Sequence, residues 1–239
     1  MPMKNCATKR NMKKLKVALK WLGNMPILKY HLREYSNNYL QLDPKHKQAI
    51  MVEHSAIKNS LLKLYPFSEE ELEGFVAKLK YRTLQKKALL IQEMEIANSL
   101  VFLINGSLRL YTRTEQGELT ITFFTENHWV TDLESLLQQQ PSRNYIEAFE
   151  PSEVALIPLR DIHELMDRNP NFKLLNGLLA HLSIPTSRLT SIQTKSPDER
   201  YASLLAEHPD WMNRFPQKHI ASYLGMTPET LSRVRARIA

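Results

Sequence analysis

The stretch Pro216 to Arg237, PQKHIASYLGMTPETLSRVRAR, constrains this chain more than any other, because its apolar, small and turn positions fall in the order of a helix-turn-helix. Ile220, Ala221 and Leu224 share one face of a short helix, and the small Ala221 lets a second helix cross closely. Gly225 can take the left-handed backbone at little cost, so the chain reverses there. Thr227 then offers a hydroxyl to an orphan backbone N–H, Pro228 stands where a missing N–H costs nothing, and Glu229 favours the positive end of the helix dipole. Leu231 and Val234 continue the inward face with Met226, which leaves Glu229, Thr230, Ser232, Arg233, Arg235 and Arg237 outside. An arginine-rich second helix makes double-stranded DNA the expected partner. A terminal helical hairpin with a solvated basic face is the alternative.

The formal net charge of +7 does not by itself argue for nucleic acid. Residues 1–50 carry eleven Lys/Arg against two Asp/Glu, a net +9, so the other residues sum to −2. Within this segment KKLKVALKWL reads either as a basic amphipathic helix that touches anionic lipid or DNA phosphate, or as a poorly ordered basic leader; the second reading is preferred. Organised patterning starts near Met51, a candidate natural start. No apolar run approaches bilayer length and the N-terminus lacks the core of a secretory signal, so a soluble, cytoplasmic protein without a membrane partner is expected. Cys6 is the only cysteine, which rules out an internal disulfide and a metal or iron–sulfur centre built on several thiolates of one chain.

From residue 54 to 79 the pattern is helical: Ile57, Leu61, Leu62 and Leu64 form one stripe, then Ser68 and Glu71 form a capping box ahead of Leu72, Phe75, Val76 and Leu79. After Tyr81 the period drops to 2. Strands are expected at Ala88–Ile91, Leu100–Ile104, Ser107–Thr112 and Leu119–Phe124, with Arg143–Phe149 and Glu153–Pro158 as a closing pair. Asn105-Gly106 suits a tight type I′ hairpin and Glu115-Gln116-Gly117 another turn. Such a run of about eight short strands hides its edges by closing into an antiparallel barrel or roll. Leu159 to Met166 is a short helix. Asn169-Pro170 opens a longer one with Phe172, Leu175, Leu178, Leu179, Leu182, Leu189 and Ile192 at spacings of three and four, a candidate dimer seam kinked near Pro185. Ser196-Pro197-Asp198-Glu199 starts the last domain, whose core takes Tyr201, Leu204, Leu205, Trp211, Met212 and Phe215.

The expected architecture is therefore α+β: a basic extension over 1–50, a jelly-roll-type β-roll sensor with flanking helices over 51–168, a linking helix over 169–195, and a helix-turn-helix domain of winged-helix type over 196–239. The text at Phe102–Tyr111, Thr131–Glu150 and Gln217–Ile238 resembles the cyclic-AMP receptor and fumarate–nitrate regulator superfamily of bacterial transcription factors, most of all its Bacteroidetes-type branch, over roughly Met51 to Ile238. The resemblance implies a homodimeric regulator that reads a pseudo-palindromic operator, with RNA polymerase a further candidate partner. The residues matching the family's base-reading positions are Glu229, Ser232 and Arg233. Arginine can pair with guanine O6 and N7, glutamate can accept from cytosine N4, and serine can serve either polarity. Pro228 stands where some relatives carry another base-reading arginine. Lys218, His219, Thr227, Thr230, Arg235 and Arg237 are candidates for phosphate contacts, each with the alternative of an ordinary solvated residue.

In cyclic-nucleotide-binding relatives a Gly-Glu pair and an Arg-Ser pair hold the ribose and the cyclic phosphate. The matching text here is Thr131-Asp132-Leu133 and Ser142-Arg143-Asn144. Asp132 and Arg143 are the candidate effector-pocket residues: Asp132 can replace the glutamate and Arg143, displaced by one residue, can still reach a phosphate, whereas the missing glycine and the opposite face that a one-residue shift along a strand gives argue against it. We expect a degenerate pocket or one for another small effector rather than cyclic-nucleotide binding, with no cofactor and no metal. Haem sensing stays an open alternative, although eight scattered histidines are more often surface or packing residues than axial ligands. No nucleophile–base pair, metal-ligand spacing or glycine-rich phosphate loop stands out, so an enzyme is not expected. The competing reading is a small-ligand or protein-interaction module with only non-specific DNA binding or none.

Overall fold

The computed structural model describes residues 54–177 and 191–238. Helix α1 (54–62) leads into α2 (Glu69–Val76), whose capping box forms in both directions: the Ser68 hydroxyl accepts from the Glu71 N–H, and the Glu71 carboxylate accepts from the Ser68 N–H. Eight strands follow: β1 (Lys80–Leu84), β2 (Leu89–Ile91), β3 (Ser99–Asn105), β4 (Leu108–Thr114), β5 (Gly117–Phe124), β6 (Trp129–Val130), β7 (Asn144–Ala148) and β8 (Ser152–Pro158). The short helix α3 (Leu133–Gln138) lies between β6 and β7, and α4 (Leu159–Arg168) follows β8.

The strands form two four-stranded antiparallel sheets, β1-β8-β3-β6 and β2-β7-β4-β5. The text of β3, SLVFLIN, explains why it is central. Val101 and Leu103 point between the sheets with Leu108, Leu110, Ile146 and Val154, while Leu100 and Phe102 point the other way, toward Ile57, Leu61, Phe75 and Ile162 of the flanking helices. A strand buried on both faces reads as a continuous apolar run rather than an alternation. Fully burying side chains of this kind contributes about 1.5–3 kcal/mol each.

One expected turn and one expected strand pairing are realised differently. Asn105-Gly106 does not close a hairpin, because β3 and β4 belong to different sheets; only Gly106 has a positive φ, at 98°, whereas a type I′ turn needs two such residues. A Cβ at Gly106 would stand 2.2 Å from Ser152 Oγ, so it is close approach to β8 that demands the glycine. Likewise β7 and β8 are not a pair: β7 lies against β2 and β4, β8 against β1 and β3, since each completes a different sheet. Glu115-Gln116, by contrast, joins β4 to β5 directly, with Thr114 opposite Gly117.

Asn169-Pro170 opens on a 3-10 turn, Pro170–Leu174, where an α-helix is expected to start, and residues 175–177 and 191–194 are helical. Phe172 and Leu175 are buried against the roll with Phe67 and Phe75, so these two positions of the expected dimer seam belong to the roll's core. Leu178, Leu179, Leu182, Leu189, the Pro185 kink and the basic N-terminal segment lie outside the described residues. No strand occurs in 191–238; the described part of this domain is helical, without a wing. No described helix is long and apolar enough to cross a membrane.

Candidate nucleic-acid interface

The C-terminal part starts at α5 (Pro197–Glu207), again with a complete capping box, between Ser196 and Glu199. It continues through α6 (Trp211–Arg214) to the pair α7 (Gln217–Tyr223) and α8 (Pro228–Ile238). The turn between the last two is a Schellman closure: Met226 N–H donates to the Ala221 carbonyl at 3.0 Å, Gly225 N–H donates to that of Ser222 at 3.1 Å, and Gly225 sits at φ 63°. Arg200 of α5 adds a clamp, its Nη1 donating to the Leu224 carbonyl at 2.6 Å and the Gly225 carbonyl at 3.2 Å. Thr227 caps α8 by accepting from the Thr230 N–H at 3.2 Å. Ile220, Ala221, Leu224, Leu231 and Val234 are buried together with Tyr201, Leu204, Trp211 and Phe215.

Glu229, Ser232 and Arg233 come out on one exposed face of α8, at i, i+3 and i+4. The Glu229 carboxyl is held below its usual range by its own backbone N–H and the Thr227 hydroxyl, and Arg233 adds to the effect, so it is a charged acceptor. Lys218, Thr227 and Arg235 are exposed and Thr230 is half-buried. Two of the expected phosphate contacts are engaged elsewhere. Arg237 forks onto Asp198 of α5 at 2.7 and 2.9 Å. His219 faces the β-roll: its ring lies edge-on to Phe149 at 5.2 Å, and its Nε2 accepts from buried Arg109 at 3.4 Å. Burial, then the charges of Arg109 and Lys218, push the His219 imidazole down to about 4, so it is neutral near neutral pH.

The docking of this domain on the roll has no counterpart in the sequence analysis. Phe123, from the outer face of β5, enters the helical core, stacking on Phe215 at 4.1 Å and meeting Trp211 edge-on at 5.1 Å. Ser222 of α7 spans the open edge of β5, accepting from the Thr120 N–H at 2.9 Å and donating to the Glu118 carbonyl at 3.1 Å. Arg214 reaches Glu126, Glu150 and the Gly106 carbonyl. Simple alternation along β5 groups Phe123 with Leu119 and Ile121, and Ile121 packs between the sheets; the register shift opposite Leu110 and Tyr111 is what turns Phe123 outward, so the text of β5 does not flag it. Nothing in the text WMNRF marks Arg214.

Within the roll, Asp132 is buried and acts as the N-cap of α3. One carboxylate oxygen accepts from the Ser135 N–H at 3.3 Å; the other accepts from the Ser142 hydroxyl at 2.5 Å and the Asn144 side-chain amide at 3.0 Å. Arg143, between those two partners, is exposed, as the one-residue displacement requires. The structure therefore joins Asp132 to Ser142 and Asn144 and leaves Arg143 apart. Above α3 the roll interior is filled by Leu103, Leu110, Val130, Leu136 and Ile146. Among the described residues, no group of three or more His, Cys, Asp or Glu is arranged to hold a metal ion.

The family model of the cyclic nucleotide-binding domain matches residues 81–169, the roll and the helix after it. The chain is 21% identical over 182 residues to the cAMP-activated global transcriptional regulator CRP of Salmonella typhimurium, covering 71% of this chain and 87% of that protein. It is 25% identical over 186 residues to the fumarate and nitrate reduction regulatory protein of Salmonella typhi, covering 70% of this chain and 71% of that one. The solved structure of FixK2 from Bradyrhizobium japonicum superposes with a TM-score of 0.58 at 19% identity, over 67% of this chain and 84% of that one.

Proposed function

We propose that the chain is a regulator of the Crp/Fnr type, as its similarity to the cyclic nucleotide-binding domain and to two such regulators supports, and that it acts as a homodimer that reads a pseudo-palindromic DNA operator with two copies of α8. The observation that carries this reading is the exposed triplet Glu229, Ser232 and Arg233, on a helix whose start is set by the Gly225 turn and the Arg200 clamp. Glutamate, serine and arginine on one helical face can read cytosine and guanine edges in the major groove. Lys218, Thr227, Thr230 and Arg235 flank that face and suit phosphate contacts, which orient without reading sequence. Two copies of α8 about 34 Å apart would enter successive major grooves. Such a regulator acts in the cytoplasm, with RNA polymerase as a partner at its promoters.

The β-roll is read as a sensor whose effector is not a cyclic nucleotide. Asp132, which takes the place of the ribose-binding glutamate, has both oxygens engaged by Ser135, Ser142 and Asn144, and Arg143 is directed to solvent. In this arrangement Asp132 is fully engaged and Arg143 is directed away from the roll interior.

Selection of genomic fragments by the purified protein tests the proposal. Recovery of a shared inverted repeat supports an operator-reading dimer. Salt-sensitive binding without a motif overturns it in favour of non-specific binding.

A further inference from the structure

Sequence preference and spacing preference are separable properties of a dimeric helix-turn-helix protein. The first lives on the reading helix, and the second on how rigidly that helix is held relative to the rest of its protomer. Several ties join the helix-turn-helix to the roll. The aromatic contacts of Phe123 with Phe215 and of Phe149 with His219 are non-directional and fix where the domain sits more than how it is turned. The Ser222 bridge is a single hydroxyl on the β5 edge.

Arg214 is different in kind. Its Nη1 and Nη2 donate to the two Glu126 oxygens at 2.7 and 2.5 Å, its Nε and Nη2 donate to Glu150 Oε1 at 3.1 and 2.7 Å, and Nη2 also donates to the Gly106 carbonyl at 2.8 Å. These acceptors sit in the β3–β4, β5–β6 and β7–β8 turns, three connections at one end of the roll. The acceptors are themselves held: Glu126 takes the Gly106 N–H at 3.0 Å, and Glu150 takes the Ser107 hydroxyl at 2.6 Å. A planar fork with five donors, engaged on several sides by a preorganised set, resists rotation as well as separation.

We propose that Arg214 is a positioning residue whose fork onto the three roll turns fixes the direction of α8 relative to the sensor, and thereby the half-site spacing that the dimer accepts. The inference rests on the dimeric, operator-reading function proposed above. Arg214 stands on α6, away from the Glu229–Ser232–Arg233 face, so its loss leaves the base contacts intact.

The test uses full-length protein and a library built from the half-site recovered in the genomic selection, with half-site separation varied in single base-pair steps. Binding to an isolated half-site with scrambled bases reports base preference separately. Two variants approach the fork from opposite sides: Arg214→Met removes the donors, and Glu126→Gln with Glu150→Gln removes both charges while keeping acceptors for Gly106 and Ser107. Thermal melts establish that both are folded. The expected result is a wild type that prefers one spacing by roughly tenfold over its neighbours, and variants in which that preference collapses while base preference is retained. A folded Arg214→Met protein with the wild-type spacing profile overturns the inference. Parallel loss of base and spacing preference also overturns it, because Arg214 would then support the fold rather than the angle. A wild type without base preference on the isolated half-site removes the operator reading itself, and the isolated half-site assay makes that failure distinct.

Discussion

Phe123 of strand β5 in the roll stacks on Phe215 of the C-terminal helical part with ring centroids 4.1 Å apart and planes 21° from parallel, and Phe123 is only 3% exposed. The helical core is therefore completed by a side chain from the roll. Phe123→Ala should cost about 3–5 kcal/mol, as expected when a buried aromatic leaves a cavity. Urea unfolding followed by tryptophan fluorescence, to which Trp211 contributes with its ring centroid 5.1 Å from that of Phe123, measures it. A loss under about 1 kcal/mol would mean that the helical core closes without β5.

Gly106 and Gly74 should respond oppositely to alanine. At Gly106 the new Cβ meets Ser152 Oγ at 2.2 Å and Cα at 2.8 Å with φ at +98°, so backbone must move and the cost should exceed about 2 kcal/mol. Gly74 lies within α2 with open space around it, and alanine there should stabilise by about 0.5–1 kcal/mol. Paired thermal melts decide both signs.

The arginines of α8 should fall into separate classes in DNA binding. Arg233→Ala should cost about 1–3 kcal/mol and relax one base position in footprinting. Arg235→Ala should weaken all sequences alike and lower the salt slope by about one. Arg237→Ala, whose guanidinium is engaged by Asp198, should leave the salt slope nearly unchanged. An equal drop in slope for Arg235 and Arg237 would show that the Asp198 pair opens on DNA.

Acid should undock the helix-turn-helix before it unfolds the roll. The Arg214 guanidinium, chiefly by hydrogen bonding, holds Glu126 at about 2 against an ordinary 4.5, so its stabilisation is complete above 4.5 and is lost as pH falls toward 2. Burial holds His219 at about 4 against 6.5, so the docked state disfavours its protonation, and stability falls as pH drops from 6.5 to 4. Both effects have the same sign. Tyrosine and tryptophan fluorescence of wild type and His219→Gln between pH 7 and 3 should differ in the upper part of this range only; identical curves would remove His219 from the account.

Calorimetric titration with cyclic AMP and cyclic GMP should give no binding heat, because Asp132 is occupied by Ser142 and Asn144 and Arg143 faces solvent. Micromolar binding by either nucleotide would require Asp132 to exchange these partners for a ribose and would overturn the assignment of the sensor.

What could be read without a structure was local. The two capping boxes at Ser68 and Ser196, the Gly225 turn with its Thr227 cap, the Glu115-Gln116 hairpin and the inward set Ile220, Ala221, Leu224, Leu231 and Val234 are written in spacings of a few residues, where backbone chemistry alone decides the outcome. The displacement of Arg143 was equally legible, since side chains alternate along any strand. Which strands become neighbours was not: Asn105-Gly106 has hairpin chemistry but serves a crossing between sheets, and β7 and β8 separate although they are consecutive. Those choices depend on burying both faces of β3 at once, a condition that no local window contains. The same holds for the docking of the helix-turn-helix. Phe123 and Arg214 lie far apart in the chain, and only the folded roll brings β5 and its turns to the helices, turning an outward phenylalanine into core and a lone arginine into a tie between the roll and the helix-turn-helix.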